Sequence, residues 1–177
     1  MPLAQVLHVE DSIHRISRRV PEMRVMESLI CRVITILGRD ISARLDEALQ
    51  PAGLAELEFR TLLTIFSRDG TATPSDLSAS LAQSPANLTR ITDVLVERGL
   101  ITRTVSDQDR RRTLLGITPV GEKLLRDLLP RMAEHTTALF RGFSADDKNR
   151  LVSDLKRLLC ALDALDLSQE RVHLAAS

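Results

Sequence analysis

Apolar residues recur at the three-to-four-residue spacing of α-helices over most of this chain. The first long pattern predicts a helix that Pro21 opens and Pro51-Ala52-Gly53 stops, with inward positions 25, 29, 33, 36, 37, 41, 45 and 49. A second helix is expected from about Ala55 to Arg68, where Asp69-Gly70 ends it. Its apolar face comprises Phe59, Leu62, Leu63 and Phe66.

Two shorter helices follow in quick succession. Thr73 is the expected N-cap of the first, with Asp76 in the capping-box position. Ser84-Pro85 opens the second and Gly99 closes it, with the side chains at 88, 91 and 95 facing inward. Only two or three residues separate these helices, which is the spacing of a helix-turn-helix.

The next two runs are short and rich in residues that favour β-strands, and a polar loop joins them. They span Leu100 to Val105 and Thr113 to Ile117, and we interpret them as a hairpin. A helix-turn-helix followed by a hairpin suits a module that lays one helix in a DNA major groove and a β-wing along the neighbouring backbone. The predicted fold is therefore mainly α with a small β-hairpin wing, and residues 54–118 form its winged helix-turn-helix lobe.

The remaining apolar helices lie at the two ends of the chain, and the small lobe cannot bury them. A fifth helix starts at Thr118-Pro119 and runs to about Arg141, and a sixth starts at Ser144 and carries leucines at 151, 155, 158, 159, 162 and 165. About six helices are thus expected in all. We expect residues 21–50 and 119–177 to pack together and against a second copy, with an ordinary monomer core as the alternative. Two-fold symmetry would place the two recognition helices about 34 Å apart, one turn of duplex.

Residues 1–20 precede the first of these predicted helices and are expected to form an N-terminal arm, either loosely held or folded as a short extra helix. The segment carries a basic cluster comprising His14, Arg15, Arg18 and Arg19.

Composition restricts the kind of nucleic acid. The chain has 24 basic and 24 acidic residues, so its formal net charge is zero and any affinity for DNA needs a local patch. Such a patch, with a net charge of +2, lies between Ser84 and Arg112. Single strands are usually held by stacking on aromatic rings, and the chain has four Phe and no Trp or Tyr, which favours a duplex. Two cysteines, no signal peptide and no membrane-length apolar run predict a cytoplasmic protein.

The candidate DNA contacts lie on the fourth helix and in the hairpin loop. The outward positions in the first half of that helix are Ser84, Ala86, Asn87, Thr89 and Arg90. Asn can pair with adenine and Arg with guanine, while Ser and Thr bond either bases or phosphates. The loop adds Asp109, Arg110, Arg111 and Arg112. Polar faces and charged turns are often merely solvated, but a basic tip directly after a helix-turn-helix favours contact with a narrow minor groove.

The run SDQDRRRTLLGITPVG resembles the signature of the MarR family of winged-helix transcriptional regulators. In that pattern Asp-x-Asp-basic-Arg leads through a short strand to Thr-x-x-Gly, here Thr118 to Gly121. Within the family, the chain is most similar to repressors of multidrug-efflux operons. The resemblance implies that residues 21–177 form a single domain. It implies a homodimer that binds a palindromic operator of double-stranded DNA and represses an efflux or stress-response operon.

The resemblance also implies a small aromatic or phenolic effector, because such compounds commonly release family members from DNA. Its pocket could be lined by Phe59, Leu62, Phe66 and Arg90, with a simple core role as the alternative for the phenylalanines.

The sequence also leaves three other functions to compare with this one. Cys31 lies where the peroxide-sensing branch of the family keeps its reactive cysteine, so a redox-responsive regulator is one alternative, although the tyrosines of that branch are absent. A winged-helix module that docks protein is another, which the basic wing disfavours. An enzyme is not expected, and neither is a cofactor or metal site. The histidines at 8, 14, 135 and 173 are scattered, without metal spacing, nucleophile elbow or phosphate loop.

Overall fold

Seven α-helices and three short strands make up the part of the chain that the computed structural model describes. This part comprises the backbone of residues 2–105 and 112–175 and the side chains of residues 3–105 and 112–165. The elements are α1 (Pro2–Ser17), α2 (Val25–Leu49), α3 (Glu56–Phe66), β1 (Thr71–Ala72), α4 (Pro74–Leu81), α5 (Pro85–Glu97), β2 (Ile101–Val105), β3 (Thr113–Ile117), α6 (Pro119–Leu139) and α7 (Ala145–Ala175). The predicted class, mainly α with a small β-sheet, is confirmed.

The chain divides into two compact units. The first is Met1–Leu129 and the second is Pro130–Ser177, so the boundary falls within α6.

The N-terminal segment forms helix α1, which packs on α2. Ile13 of α1 and Ile36 of α2 are buried, and Arg39 Nη2 donates to Gln5 Oε1 at 2.9 Å. Of the two forms expected for this segment, the structure therefore shows the short extra helix. The predicted start of the long helix at Pro21 is wrong, since α2 begins four residues later. The chain uses the residues around Pro21 to turn back, so that α2 can run alongside α1.

Side-chain caps start α4, α5 and α7 at the predicted residues. Thr73 Oγ1 accepts from the backbone N–H of Asp76 at 3.2 Å, and the Asp76 carboxylate accepts from the Thr73 N–H at 3.0 Å. Ser84 Oγ accepts from the backbone N–H three residues on at 3.3 Å. Ser144 and Asp147 repeat the reciprocal pair before α7. Each cap satisfies backbone donors that the first helical turn leaves without an intrahelical acceptor.

The three strands form one antiparallel sheet in the order β1-β3-β2. The predicted hairpin is confirmed, but β1 was missed, because two residues are too few to show an alternating pattern. β1 forms where Asp69 (φ 53°) and Gly70 (φ 81°) reverse the chain, which brings Thr71 opposite Gly116 of β3.

The core of the first unit collects apolar side chains from α3 to α6 and from β3, including the three that were predicted to face inward on α5. Several leucines are at most 2% exposed: Leu62, Leu77, Leu88, Leu95, Leu115 and Leu125. Burying one such side chain stabilises a fold by roughly 1.5–3 kcal/mol. The result is a well-packed base under α5 and the hairpin.

Two apolar stripes remain exposed. On α2, the side chains of Met26, Ile30, Ile34, Leu37 and Ile41 recur every three or four residues and are 40–63% exposed. The leucines of α7 at 151, 155, 158, 159, 162 and 165 are 38–61% exposed. Leu37 and Ile41, which the sequence pattern places inward, are thus not covered within one chain.

Candidate nucleic-acid interface

Helix α5 presents a polar surface along its first half. Leu88, Ile91 and Leu95 fix its inner face to the core, so the predicted outward positions face away from it. Of these positions Asn87 is half-buried, and the exposed ones are Ser84, Ala86, Thr89 and Arg90. This is also the positive end of the helix dipole, which suits phosphate groups.

A short chain of hydrogen bonds orients the side chains on this surface. Asn87 Nδ2 donates to Gln83 Oε1 at 2.7 Å, and Arg90 Nη2 donates to Asn87 Oδ1 at 3.3 Å. An Asn side chain has two N–H donors and two oxygen lone pairs, so one of each remains for another partner. One donor and one acceptor are what the major-groove edge of adenine requires. Gln83, which the sequence reasoning missed, therefore helps to orient the Asn87 side chain.

Arg103 connects β2 to the outer face of α5. Its Nη2 atom donates to Asp93 Oδ1 at 2.7 Å and to Thr92 Oγ1 at 3.0 Å. Sequence reasoning counted this arginine in the basic patch but gave it no role. Arg103 lies two residues after the buried Ile101 on the same strand face, but its own side chain is 43% exposed, so the strand pattern alone did not demand a partner for it. The two hydrogen bonds hold the hairpin to the recognition helix at a fixed point.

A groove of about 650 Å³ lies between α4, α5 and the two hairpin strands. Its walls include Ser75, Ser78, Thr89 and Arg103, beside apolar atoms of Pro74. Hydroxyl groups and one guanidinium therefore face a space large enough for a small molecule.

The base of the wing adds positive charge near the start of α4. Arg112 is exposed. Hydrogen bonds from Thr73 hold the pKa of the Asp76 carboxyl below its usual value, and the nearby charges of Arg68 and Arg112 lower that pKa further. The other predicted wing contacts, Asp109, Arg110 and Arg111, lie outside the described residues, so they stay predictions.

The Thr-x-x-Gly part of the signature joins the start of α6 to the turn after α5. Thr118 Oγ1 donates to the Gly99 carbonyl at 2.7 Å and accepts from the Gly121 N–H at 3.1 Å. A Cβ atom on Gly121 would overlap the Leu100 carbonyl oxygen, so the close approach of α6 requires glycine here. The motif is a packing joint between two helices.

The residues predicted to line an effector pocket have different environments. Phe59 and Leu62 are buried in the core at 4% and 0% exposure. Phe66 is half-buried, with the Arg126 guanidinium 6.0 Å from its ring centre. Arg90 is exposed on α5, and none of the four is among the residues that line the groove beside that helix. Their role in binding an effector stays a prediction.

The candidate redox residue, Cys31, is a free thiol exposed on α2, and Cys160 is likewise free and exposed on α7. Within the described residues, no cluster of three or more His, Cys, Asp or Glu side chains could hold a metal ion. A search of the same part of the chain found no helix long and apolar enough to cross a membrane.

Known proteins are similar to this chain in sequence and in fold. A model of the MarR family matches residues 54–113. The transcriptional repressor MprA of Escherichia coli (strain K12) is 31% identical to this chain, over 93% of the chain and 91% of MprA. The crystal structure of S. aureus MepR in its DNA-binding conformation matches 75% of this chain and 98% of MepR with a TM-score of 0.68 and 20% identity. The S. aureus MepR–DNA complex gives a TM-score of 0.67 at 20% identity, over 74% of this chain and 96% of MepR.

Proposed function

The chain belongs to the MarR family of winged-helix transcriptional regulators, not to an enzyme family, and on that premise we propose that it is a homodimeric repressor that binds a palindromic DNA operator. MprA is named as a transcriptional repressor, and MepR has been solved bound to DNA. We propose repression and DNA binding for this chain as well, because the surface of α5 suits contact with DNA.

The observation that carries the proposal is the bonded side-chain row on α5. Gln83 and Arg90 fix the Asn87 amide between them, and Arg103 ties the hairpin to the same helix. Side chains that are already oriented lose less conformational freedom when they bind, so such a row is suited to base edges.

The apolar stripes support the homodimer. Five large apolar side chains on α2 and several on α7 are exposed in the single chain, and grouped apolar side chains on a surface mark sites of protein interaction. A second copy would cover them. Two-fold symmetry would then present two copies of α5 to successive major grooves on one side of the duplex.

We further propose that a small aromatic or phenolic compound releases the repressor and that its target is an efflux or stress-response operon. The similarity to the repressor MprA and the resemblance of the signature run to repressors of multidrug-efflux operons support this part of the proposal. The groove beside α5 offers such a compound a space of about 650 Å³, lined by Pro74 and Ser75 among others. Phe59 and Leu62, in contrast, have almost no exposed surface.

Selection of bound duplexes from random DNA tests the proposal. We expect an inverted repeat whose half-sites are about 10 base pairs apart, one turn of the helix. Asn87→Ala should relax the preference at one base position in each half-site, with a loss of about 1–3 kcal/mol. Thr136→Ala is the control, since it removes an exposed hydroxyl from α6. Recovery of unrelated sequences by the parent protein would contradict the proposal.

A further inference from the structure

Helix α5 ends at a junction that joins it to α2, α3 and α6. Its last turn carries Arg98 as the C-cap residue. On one side, the 3₁₀ turn Gln50–Ala52 continues from the end of α2. On the other side, Thr118 at the start of α6 bonds the carbonyl of Gly99.

The Arg98 guanidinium is the centre of this junction. Its Nη1 atom donates to the Gly53 carbonyl at 2.7 Å, and its Nη2 atom donates to the Ala52 carbonyl at 3.0 Å. Nη1 also lies 3.3 Å from Glu58 Oε2. The same carboxylate accepts from the Ala55 N–H at 3.2 Å and so caps the start of α3. One side chain therefore holds the end of α2 and the start of α3.

The side chains that make these contacts are partly shielded from solvent. The side chains of Arg98 and Glu58 are only 32% and 16% exposed. The two carbonyls follow the end of α2, where the helix dipole is negative and favours a cation. Arginine can bond both carbonyls at once because its donors form a planar fork, which the single ammonium of lysine cannot reproduce.

We propose that Arg98 is a positioning residue that fixes the angle between α2 and α5, and thereby the spacing of operator half-sites that the protein accepts. The inference rests on the proposed function, because α2 carries the stripe that would meet the second copy. Helix α5 has 13 residues and is thus about 20 Å long. A rotation of about 10° at its end would move its beginning by about 3 Å, close to the rise of one base pair.

The experiment compares binding to the selected operator with binding to versions in which one base pair is inserted or deleted between the half-sites. The ratio of the two affinities is the readout. A general loss of stability lowers the active fraction equally for every operator and leaves this ratio unchanged. We expect Arg98→Gln to bind the original operator roughly tenfold more weakly and to discriminate at least roughly threefold less between spacings.

Two milder variants and one control complete the test. Arg98→Lys should give an intermediate ratio, since it retains the charge but loses the fork, and Glu58→Gln should move the ratio in the same direction. Arg60→Gln is the matched control, because Arg60 is an exposed arginine paired with Glu56 on α3 and takes no part in the junction. Its spacing ratio should equal that of the parent.

The outcomes separate this inference from the proposed function. If the parent shows a spacing preference and the folded Arg98→Gln protein keeps the same ratio, the positioning role is wrong and the DNA-binding function stands. If Arg98→Gln does not fold, unchanged ratios in Arg98→Lys and Glu58→Gln overturn the inference in the same way. If the parent binds no operator, the proposed function itself has failed.

Discussion

Asp76 shows what a single residue contributes in this protein. Its carboxylate accepts hydrogen bonds from the backbone N–H and the hydroxyl of Thr73, and these bonds hold the pKa of the carboxyl below its usual value. Asp147 has the same relation to Ser144 at the start of α7, and its pKa is also lowered. Both caps could be predicted from local sequence, since a Thr or Ser three residues before an Asp is the signature of a capping box.

The lowered pKa gives the Asp76 cap a defined pH dependence. Because the folded-state pKa is below the unfolded value of about 3.8, the cap stabilises the fold fully above that pH. The stabilisation is lost as the pH falls through the folded-state pKa. We expect Asp76→Asn to lower the urea midpoint at pH 7 and to differ less from the parent as the pH falls below about 3.8.

Circular dichroism is the suitable probe for this test, as the chain lacks Trp and Tyr. Glu134→Gln removes an exposed carboxylate from the middle of α6 and serves as the control. An equal loss of stability by Asp76→Asn at all pH values would show that the charge of the carboxylate is not the source of the effect.

At the scale of elements, a capped helix start could be predicted better than the elements that contact each other in the fold. The caps at Thr73, Ser84 and Ser144 are confirmed, because they depend on residues only three positions apart. Strand β1 was missed because two residues show no alternating pattern, and the bond from Arg103 to Asp93 was missed because no local pattern identifies its partner. The local sequence pattern does not identify which residues from other elements become neighbours in the fold.

The joint between α6 and the turn after α5 gives a prediction at this scale. Gly121→Ala places a methyl group against the Leu100 carbonyl, which is backbone and cannot move aside easily. We expect a loss of stability of about 1–3 kcal/mol, measured by urea unfolding. Gly38→Ala is the control, since a Cβ atom there meets nothing within 4 Å on α2. That control should keep or raise the stability, because alanine favours a helix over glycine. A loss no greater than that of the control would mean that the joint tolerates a side chain.

At the scale of the whole molecule, the main feature is the apolar surface that a single chain leaves exposed. The stripe on α2 predicts self-association, and Ile34 lies at its middle with a side chain that is 40% exposed. Ile34→Asp should therefore leave the chain folded and convert the proposed dimer to a monomer, because a buried unpaired carboxylate at the proposed interface costs several kcal/mol.

Sedimentation equilibrium measures this change in mass. Ala43→Asp adds the same charge to the same helix nine residues on, where half-integral turns place it on the opposite face. That control should remain dimeric. A parent protein that is monomeric, or an Ile34→Asp variant that still forms dimers, would remove the α2 stripe from the proposed interface.

The sequence by itself determined the helix-turn-helix with its hairpin, the caps at Thr73, Ser84 and Ser144, the inward residues of α5 and the resemblance to the family. These features depend on spacing within a few residues, where the period of a helix or strand and the hydrogen-bonding needs of its ends leave few alternatives. Only the tertiary structure decided that Arg103 holds the hairpin to α5, that Arg98 joins α5 to the end of α2, and that the α2 stripe is exposed. Such contacts join residues about 10 to 46 positions apart, and which of them meet is set by the packing of the whole core.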